Sequence, residues 1–516
     1  MAQVGPSVKK RDSVTSQIPD EWRIPALPPP ENLPDVTKEY IRQYLTSREV
    51  EITESDAVEI VQKTTTGIWK AKELDAHFGR YCTPVGPLHG LPVGLKDTIH
   101  VKGVETTMGY VGWVGTFEGD KHREKYKNIE ATVAAHLRTL GQRAILYVET
   151  SAPQASCSVE TANNIIGYTL NPQNRAVTTG GSSGGEGALI AFRGSAAGLG
   201  TDIGASIRLP SHFNGLHCLK PSYYRLPLRG IATPMDGQDT APFVVGPMAT
   251  TPRATSLLTK SLLSCEPWLS DPLVHEIPWR DDIYDQTLRR ANGVGQRLAF
   301  GILRSDGVVN PQPPVARALD VVEKAIRRAG HEVIEFSLPN YLKALQLFFK
   351  VCFIDGAADF LNQFALSGEP PEPAMLPVFH TTSPKIQDAA EIMHTNKAIR
   401  AYCAQFLDHW NGTAKSTATG QPIDAIIMPI SPSAAPKKGR VKWLGYASII
   451  NLLDYASYAL PVLRVDRCVD LYGPGPHTPL GDEDEFVHHD YDPDLYHGAP
   501  EKKVLALGES LTDATS

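Results

Sequence analysis

Cysteine is scarce and follows no pairing pattern. The chain has seven in 516 residues: Cys82, Cys157, Cys218, Cys265, Cys352, Cys403 and Cys468. The number is odd, the spacing is irregular and no CxxC pair occurs. This argues against a disulfide framework or a structural zinc site and fits a reducing compartment. A basic excess is missing too. With 50 Lys+Arg against 57 Asp+Glu, the formal net charge is −7, which speaks against nucleic acid or an anionic membrane as the main partner. The N-terminus, "MAQVGPSVKKRDSV", has no apolar core of the kind a secretory signal needs, so a cytoplasmic protein is expected. No membrane span is expected either. The most apolar segment, "GYASIINLLDYASYALPVL", is interrupted by Asn451, Asp454 and Pro461, and predicts a buried helix running into a strand.

What the sequence does contain is ordinary globular composition, 42% hydrophobic and 21% charged, in a chain long enough to bury a large core. Residues 1–36 are rich in proline and charge and read as an extended arm, with residues 37–516 as one folded domain. Beyond the arm, helix, glycine and strand patterns alternate. "EATVAAHLRTLG" leads into "AILYVET", and "VARALDVVEKAIRRAG" into "HEVIEF". "RLAFGIL" and "IDAIIMPI" are further buried-strand runs. The pattern predicts an α/β protein with one large sheet covered by helices on both faces. Near the end, "GDEDEFVHHDYDPD" interrupts it. His488, His489 and Asp490 there raise the question of a metal, but without helical ligand spacing the segment reads as a solvated loop and no metal ligand is assigned.

Three glycine-rich segments carry the chemistry. In "GLPVGLKDTIHVKG", apolar residues on both sides of Lys96 predict a strand that buries the amine. Desolvation lowers a lysine's pKa and makes it usable as a base. Pairing with neighbouring Asp97 is disfavoured, because adjacent side chains of a strand face opposite ways. In "GGSSGGEGALIAF", glycines surround Ser182 and Ser183 and lead into a helix. That arrangement suits a polar nest, or a plain serine N-cap. No Gly-Lys-Ser/Thr follows, so it is not a P-loop. Residues 180–184 also match the G-x-S-x-G nucleophile elbow, yet the run before them, "NPQNRAVTTG", is too polar for the strand an elbow requires. In "GLGTDIGASIRLPS", small residues before Ser206 let successive N–H groups converge on one point, as an oxyanion hole requires. A tight turn between strand and helix would look the same.

Taken together and in this order, the segments resemble the amidase signature family. The likeness runs from about Pro87 to Pro252. "PVGPLHGLP", "NNIIGYTLNP" and "DPDLYHGAP" resemble its fungal acetamidase-like branch. The resemblance implies an amidase-signature fold and a Ser–Ser–Lys triad. Ser206 matches the nucleophile, Ser182 the relay serine that follows a cis peptide bond, and Lys96 the base. It further implies that Ile203, Gly204, Ala205 and Ser206 supply oxyanion N–H groups. Ser156 and Ser158 would lie near the acyl pocket, and Asp202 and Arg208 would brace the loop. The implied substrate is a small-molecule carboxylic amide, with no cofactor. The same residues would persist in a catalytically impaired descendant, or in a tailoring amidase of a biosynthetic pathway.

The sequence departs from the family pattern in several places. Ala205 replaces a usual glycine, which negative φ would tolerate. Cys218 and Tyr224 also stand where glycine is common, and Tyr224 implies a reshaped turn. The region before Lys96 is short of one amphipathic helix, and "KHREKYKN" looks inserted. "KKVLALGESLTDATS" stops where a final helix is expected. Missing helices would expose apolar surface, which leaves open a destabilised protein, a compensating homo-oligomer or an imperfect gene model.

Overall fold

The apolar run ending at Lys96 forms strand β1 (Pro92–Lys96), buried at every position after its first, as a central parallel strand must be. A computed structural model describes residues 28–65, 79–81, 83–121, 128–138, 143–375, 385–472 and 477–496. In it β1 lies between β2 (Ile145–Thr150) and β5 (Ala197–Asp202), parallel to both. Beyond β5 come β7 (Val244–Ala249), β6 (His217–Lys220) and β11 (Ser457–Ala459), each antiparallel to its neighbour. The resulting order, β11-β6-β7-β5-β1-β2, is the large mixed sheet the alternating pattern predicts.

Helices cover it on both sides. Val93, Leu95, Ala197, Leu199, Val245 and Ala249 share one apolar cluster with residues of helices Ala57–Thr65, Thr132–Arg138 and Pro252–Leu263. Alternate strand positions face the other way, and there the sheet is floored with Gly94, Gly198 and Gly200. The absence of side chains lets helix Gly184–Ala191 approach. A Cβ at Gly94 would sit 2.5 Å from Glu186 Oε1, and one at Gly200 would sit 2.6 Å from Ser183 Oγ. Glu186 is fully buried and accepts a 2.8 Å hydrogen bond from Thr150. Burial pushes its carboxyl up to about 8, so it is a neutral acid at pH 7.

The later strands stand apart. β8 (Ala299–Ile302), β9 (Glu332–Glu335) and β10 (Ala425–Ile427) form a separate parallel sheet in the order β10-β8-β9. Helix Pro313–Arg328 makes one of its crossovers. β3 (Ala162–Asn163) and β4 (Gly167–Tyr168) form a small hairpin. Helix Gly445–Leu452 runs into β11, as read from that apolar segment. No helix among the described residues is long and apolar enough to cross a membrane.

One expectation is overturned. The acidic segment read as a solvated loop is largely helix Asp482–His489, with Asp484 at 0% and His488 at 6% exposure. Its amphipathicity is hidden because the buried positions, Asp484, Val487 and His488, are mostly polar. Of the extended arm, residues 28–36 dock on the body. Arg175 donates to the carbonyls of Pro28 and Leu33, and the Val36 amide donates to Pro172. The rest of the arm lies outside the described residues. So do residues 66–78 of the shortened region, residues 122–127 of the inserted segment, and the chain end from 497 on.

The glycine floor is testable. The nearest atoms to a methyl at Gly94 are Glu186 carboxyl atoms at 2.5–3.0 Å. Gly94→Ala should cost about 2–3 kcal/mol by overpacking, but under about 1 kcal/mol once Glu186→Ala has removed the carboxyl. A double-mutant cycle by chemical denaturation measures that coupling. Equal costs in both backgrounds would show that the strand itself, not the carboxyl, requires glycine.

Candidate active site

Lys96 alternates with Gly94 and therefore points to the same face as the helix above it. It is fully buried, with Nζ 2.6 Å from Ser182 Oγ and 2.8 Å from Thr201 Oγ1. Burial pulls its amine down to about 7, against the opposing charges of Asp202, Cys157 and Asp97. Asp97 turns away, as adjacency on a strand requires, and accepts from the Thr107 amide at 2.7 Å and from the Thr107 hydroxyl.

Ser182 follows a cis Gly181–Ser182 peptide bond and is 1% exposed. Only isolated bridges precede it between 172 and 180, so the strand that a nucleophile elbow needs is not there. Ser183 stands at the N-cap position without capping the helix. Its hydroxyl instead donates to the Thr201 carbonyl and accepts from the Thr201 amide. The Ser183 amide donates to the Ser206 carbonyl at 2.9 Å, tying the two serine loops together.

Ser206 is half-buried and lies between β5 and helix Arg208–Asn214. It lines a cavity of about 50 Å³ with Ser156, Cys157, Thr201 and Ile203. The far wall is Met235, Phe243 and Cys352. Exposure therefore falls inward, from Ser206 at the cavity to Ser182 and then to Lys96. The Lys96–Ser182 contact is closed. The Ser206 hydroxyl makes no hydrogen bond among the described residues, and Ser182 Oγ lies 3.4 Å from Ser156 Oγ. Catalytic hydrogen bonds are commonly loose before substrate binds.

Two readings of the oxyanion loop change. Ala205 has φ +115°, so the negative φ that would tolerate its methyl without strain is not adopted. Its N–H donates to Asp202 Oδ1 at 3.0 Å, so the donors left in the loop are Ile203, Gly204 and Ser206. Asp202 also accepts from the Ile207 amide and from Arg208, which reaches on to Ala447 O and Asn451 Oδ1. Burial would raise the Asp202 carboxyl, but Arg208 outweighs it and holds the group well below the usual range. Both residues brace the loop. A Cβ at Gly204 would lie 3.1 Å from Phe348 Cζ, on helix Tyr341–Cys352, so a side chain there would have to push the ring aside.

Ser156 lines the cavity, whereas Ser158 does not. The Ser158 hydroxyl accepts from the Glu160 amide instead. Sequence reasoning missed Thr201 as the second partner of Lys96. Its position near the end of buried strand β5, two residues before Ile203, was the available signal. It also missed Met235, Phe243, Phe348 and Cys352, which come from distant segments with no motif of their own. Tyr224 keeps the left-handed backbone, φ 57°, so the turn was not reshaped to avoid it.

Comparisons with known proteins show the family. The profile of the Amidase family matches residues 40–475. The chain is 36% identical to an acetamidase of Aspergillus oryzae, over 98% of this chain and 95% of that protein. It is 35% identical to an acetamidase of Emericella nidulans, over 98% and 94%. Among solved structures, fatty acid amide hydrolase superposes with a TM-score of 0.84 at 27% identity, covering 99% of this chain and 94% of the other. A buried lysine against a serine after a cis bond, on this fold and with these relatives, makes the chain a member of the amidase family, a hydrolase of amide C–N bonds.

Proposed function

We propose that the protein hydrolyses a small carboxylic amide to the acid and ammonia or an amine through an acyl-enzyme on Ser206. The observation that carries this reading is the Lys96 amine, fully buried and 2.6 Å from Ser182 Oγ, one step behind the cavity that Ser206 lines. Neutral Lys96 takes a proton from Ser182, which takes one from Ser206 as its oxygen attacks the amide carbon. The amides of Ile203, Gly204 and Ser206 stabilise the oxyanion. The relay then runs backwards to protonate the leaving nitrogen, which departs and leaves the ester on Ser206. Water, deprotonated through the same pair, releases the acid. The scheme draws its base from lysine and its electrostatic stabilisation from backbone dipoles, and assigns no cofactor a step.

The small cavity and its apolar wall of Met235, Phe243 and Cys352 support a short acyl group. The acetamidase relatives point the same way. The cytoplasm is the compartment this reading assumes.

Two measurements test it. A fluorophosphonate probe followed by peptide mass spectrometry should place the adduct on Ser206 and lose it in Lys96→Ala. An adduct on Ser182, or none on folded protein, would overturn the role assignment. Second, kcat/KM for acetamide should rise with pH through an apparent pKa near the Lys96 value of about 7 and then level off, because only neutral lysine accepts the proton. An acid limb centred near pH 10 would mean that the base behaves as an ordinary exposed lysine.

A further inference from the structure

Far along the chain from the catalytic loops, His477, Asp484 and His488 bring three potential ligand atoms within 4.8 Å of one another. Asp484 and His488 are four residues apart on helix Asp482–His489 and so share one face. His477 joins them from the preceding segment. The two imidazoles stack, with centroids 3.8 Å apart and planes at 17°. Both aim Nε2 at the same carboxylate, at 2.6 Å for His477 and 3.5 Å for His488. The Asp484 side chain is 0% exposed, and its ion-pair partners among the described residues are these two histidines. A buried carboxylate without a guanidinium or ammonium beside it calls for a cation.

We propose that His477, Asp484 and His488 form a structural site for a divalent cation of the zinc type, bound through two imidazole nitrogens and one carboxylate oxygen. Nitrogen and oxygen donors of this kind bind Zn²⁺ at about 2.0–2.2 Å, which spaces tetrahedral ligand atoms by about 3.4 Å. The present separations, 2.6 and 3.5 Å to the two oxygens of Asp484, lie on either side of that value, and binding requires one imidazole to turn out of the stack so that the ion lies in the plane of both rings. The Asn310 carbonyl oxygen, 2.8 Å from His488 Nε2, or a water completes the set.

The surrounding contacts fit a metal ligand's support. Tyr472 Oη lies 2.6 Å from His488 Nδ1, where it holds the ring and would accept a hydrogen bond from Nδ1–H once Nε2 is bound to metal. The amides of Asn310 and Leu480 donate to Asp484 at 2.6 and 3.1 Å, fixing the carboxylate. None of these residues lines the Ser206 cavity, so the site is separate from the proposed catalysis. A bound ion would staple the 477–489 segment to the Asn310 loop. In that loop Asp306 accepts from Tyr341 and Trp443, at the N-terminus of the helix that carries Phe348 and Cys352.

The test uses the full chain without a polyhistidine tag, stripped with chelator and titrated with Co²⁺. One equivalent should bind and give the visible bands of a four- or five-coordinate ion, which Zn²⁺ should displace. His477→Gln, at a partly exposed position that leaves the core packing intact, should abolish the bands. It should also abolish the several-degree rise in melting temperature that Zn²⁺ gives the parent. His489→Gln, at an exposed neighbour, should keep both. No stoichiometric uptake by folded protein, or uptake undiminished in His477→Gln, would overturn the site and leave an imidazole–carboxylate hydrogen-bond clamp only.

Discussion

The structure turns on a lysine buried without a carboxylate in contact. Lys96 Nζ meets two hydroxyls, Ser182 and Thr201, and the surrounding acids act on it only at longer range. An ammonium in that position would lose its hydration for two neutral partners, so the fold favours the free amine. That preference requires Asp97 to be engaged elsewhere, and Thr107 engages it. It also requires Asp202, two positions before Gly204, to be neutralised by another cation. Arg208 does this, in a buried pair with side chains 1% and 0% exposed. The same pair holds the amides of Ala205 and Ile207 and so shapes the loop that carries Ser206.

Close approach of backbone to backbone makes the arrangement possible. Gly94, Gly198 and Gly200 clear the sheet where the helix after the two serines descends, and Glu186, hydrogen-bonded by Thr150, fills the space as a neutral acid. A charged Glu186 would sit fully buried beneath β1 with no cation beside it and would pull the Lys96 amine back toward ammonium. The glycine floor, the uncharged glutamate and the buried lysine amine are therefore parts of one electrostatic design. Each is tolerable only because the others keep net charge out of the sheet's interior.

This design explains which parts of the molecule could be read in advance. Lys96, Ser182 and Ser206 each stand in a short glycine-rich stretch whose local geometry is dictated by its own residues, so motif and chemistry coincide. In the large sheet, β2 and β1 were legible as apolar runs and β11 as the strand after an apolar helix, whereas β5 (AGLGTD) and β6 (HCLK) are too small or too polar to be read that way. The separate sheet of β8, β9 and β10 was not legible, because an apolar run says that a strand is buried but not which sheet buries it. Helix Asp482–His489 was misread because its inward face is built of Asp484 and His488, and periodicity arguments count apolar residues. The cavity wall was illegible for a further reason. Met235, Phe243 and Cys352 belong to separate segments, and only the tertiary fold brings them within reach of Ser206.

Ala205 and Tyr224 show what a motif departure does in physical terms. Both replace glycines expected by family likeness, and both keep the positive φ that glycine would adopt, +115° and +57°. A non-glycine residue in that region costs roughly 1–3 kcal/mol. At Ala205 the methyl is 99% buried in an apolar cluster with Val177, Leu209, Phe213 and Ala447. That burial returns about 0.8 kcal/mol, and the Asp202 carboxylate secures the amide. At Tyr224 the carbonyl accepts from the His275 amide at 2.9 Å while the ring stands edge-on to the His275 ring. In both cases neighbouring contacts hold a left-handed or positive-φ backbone without a glycine. The demand on the loop is therefore a demand on where its N–H groups point, and residue identity is free to vary as far as neighbouring contacts can hold that path in place.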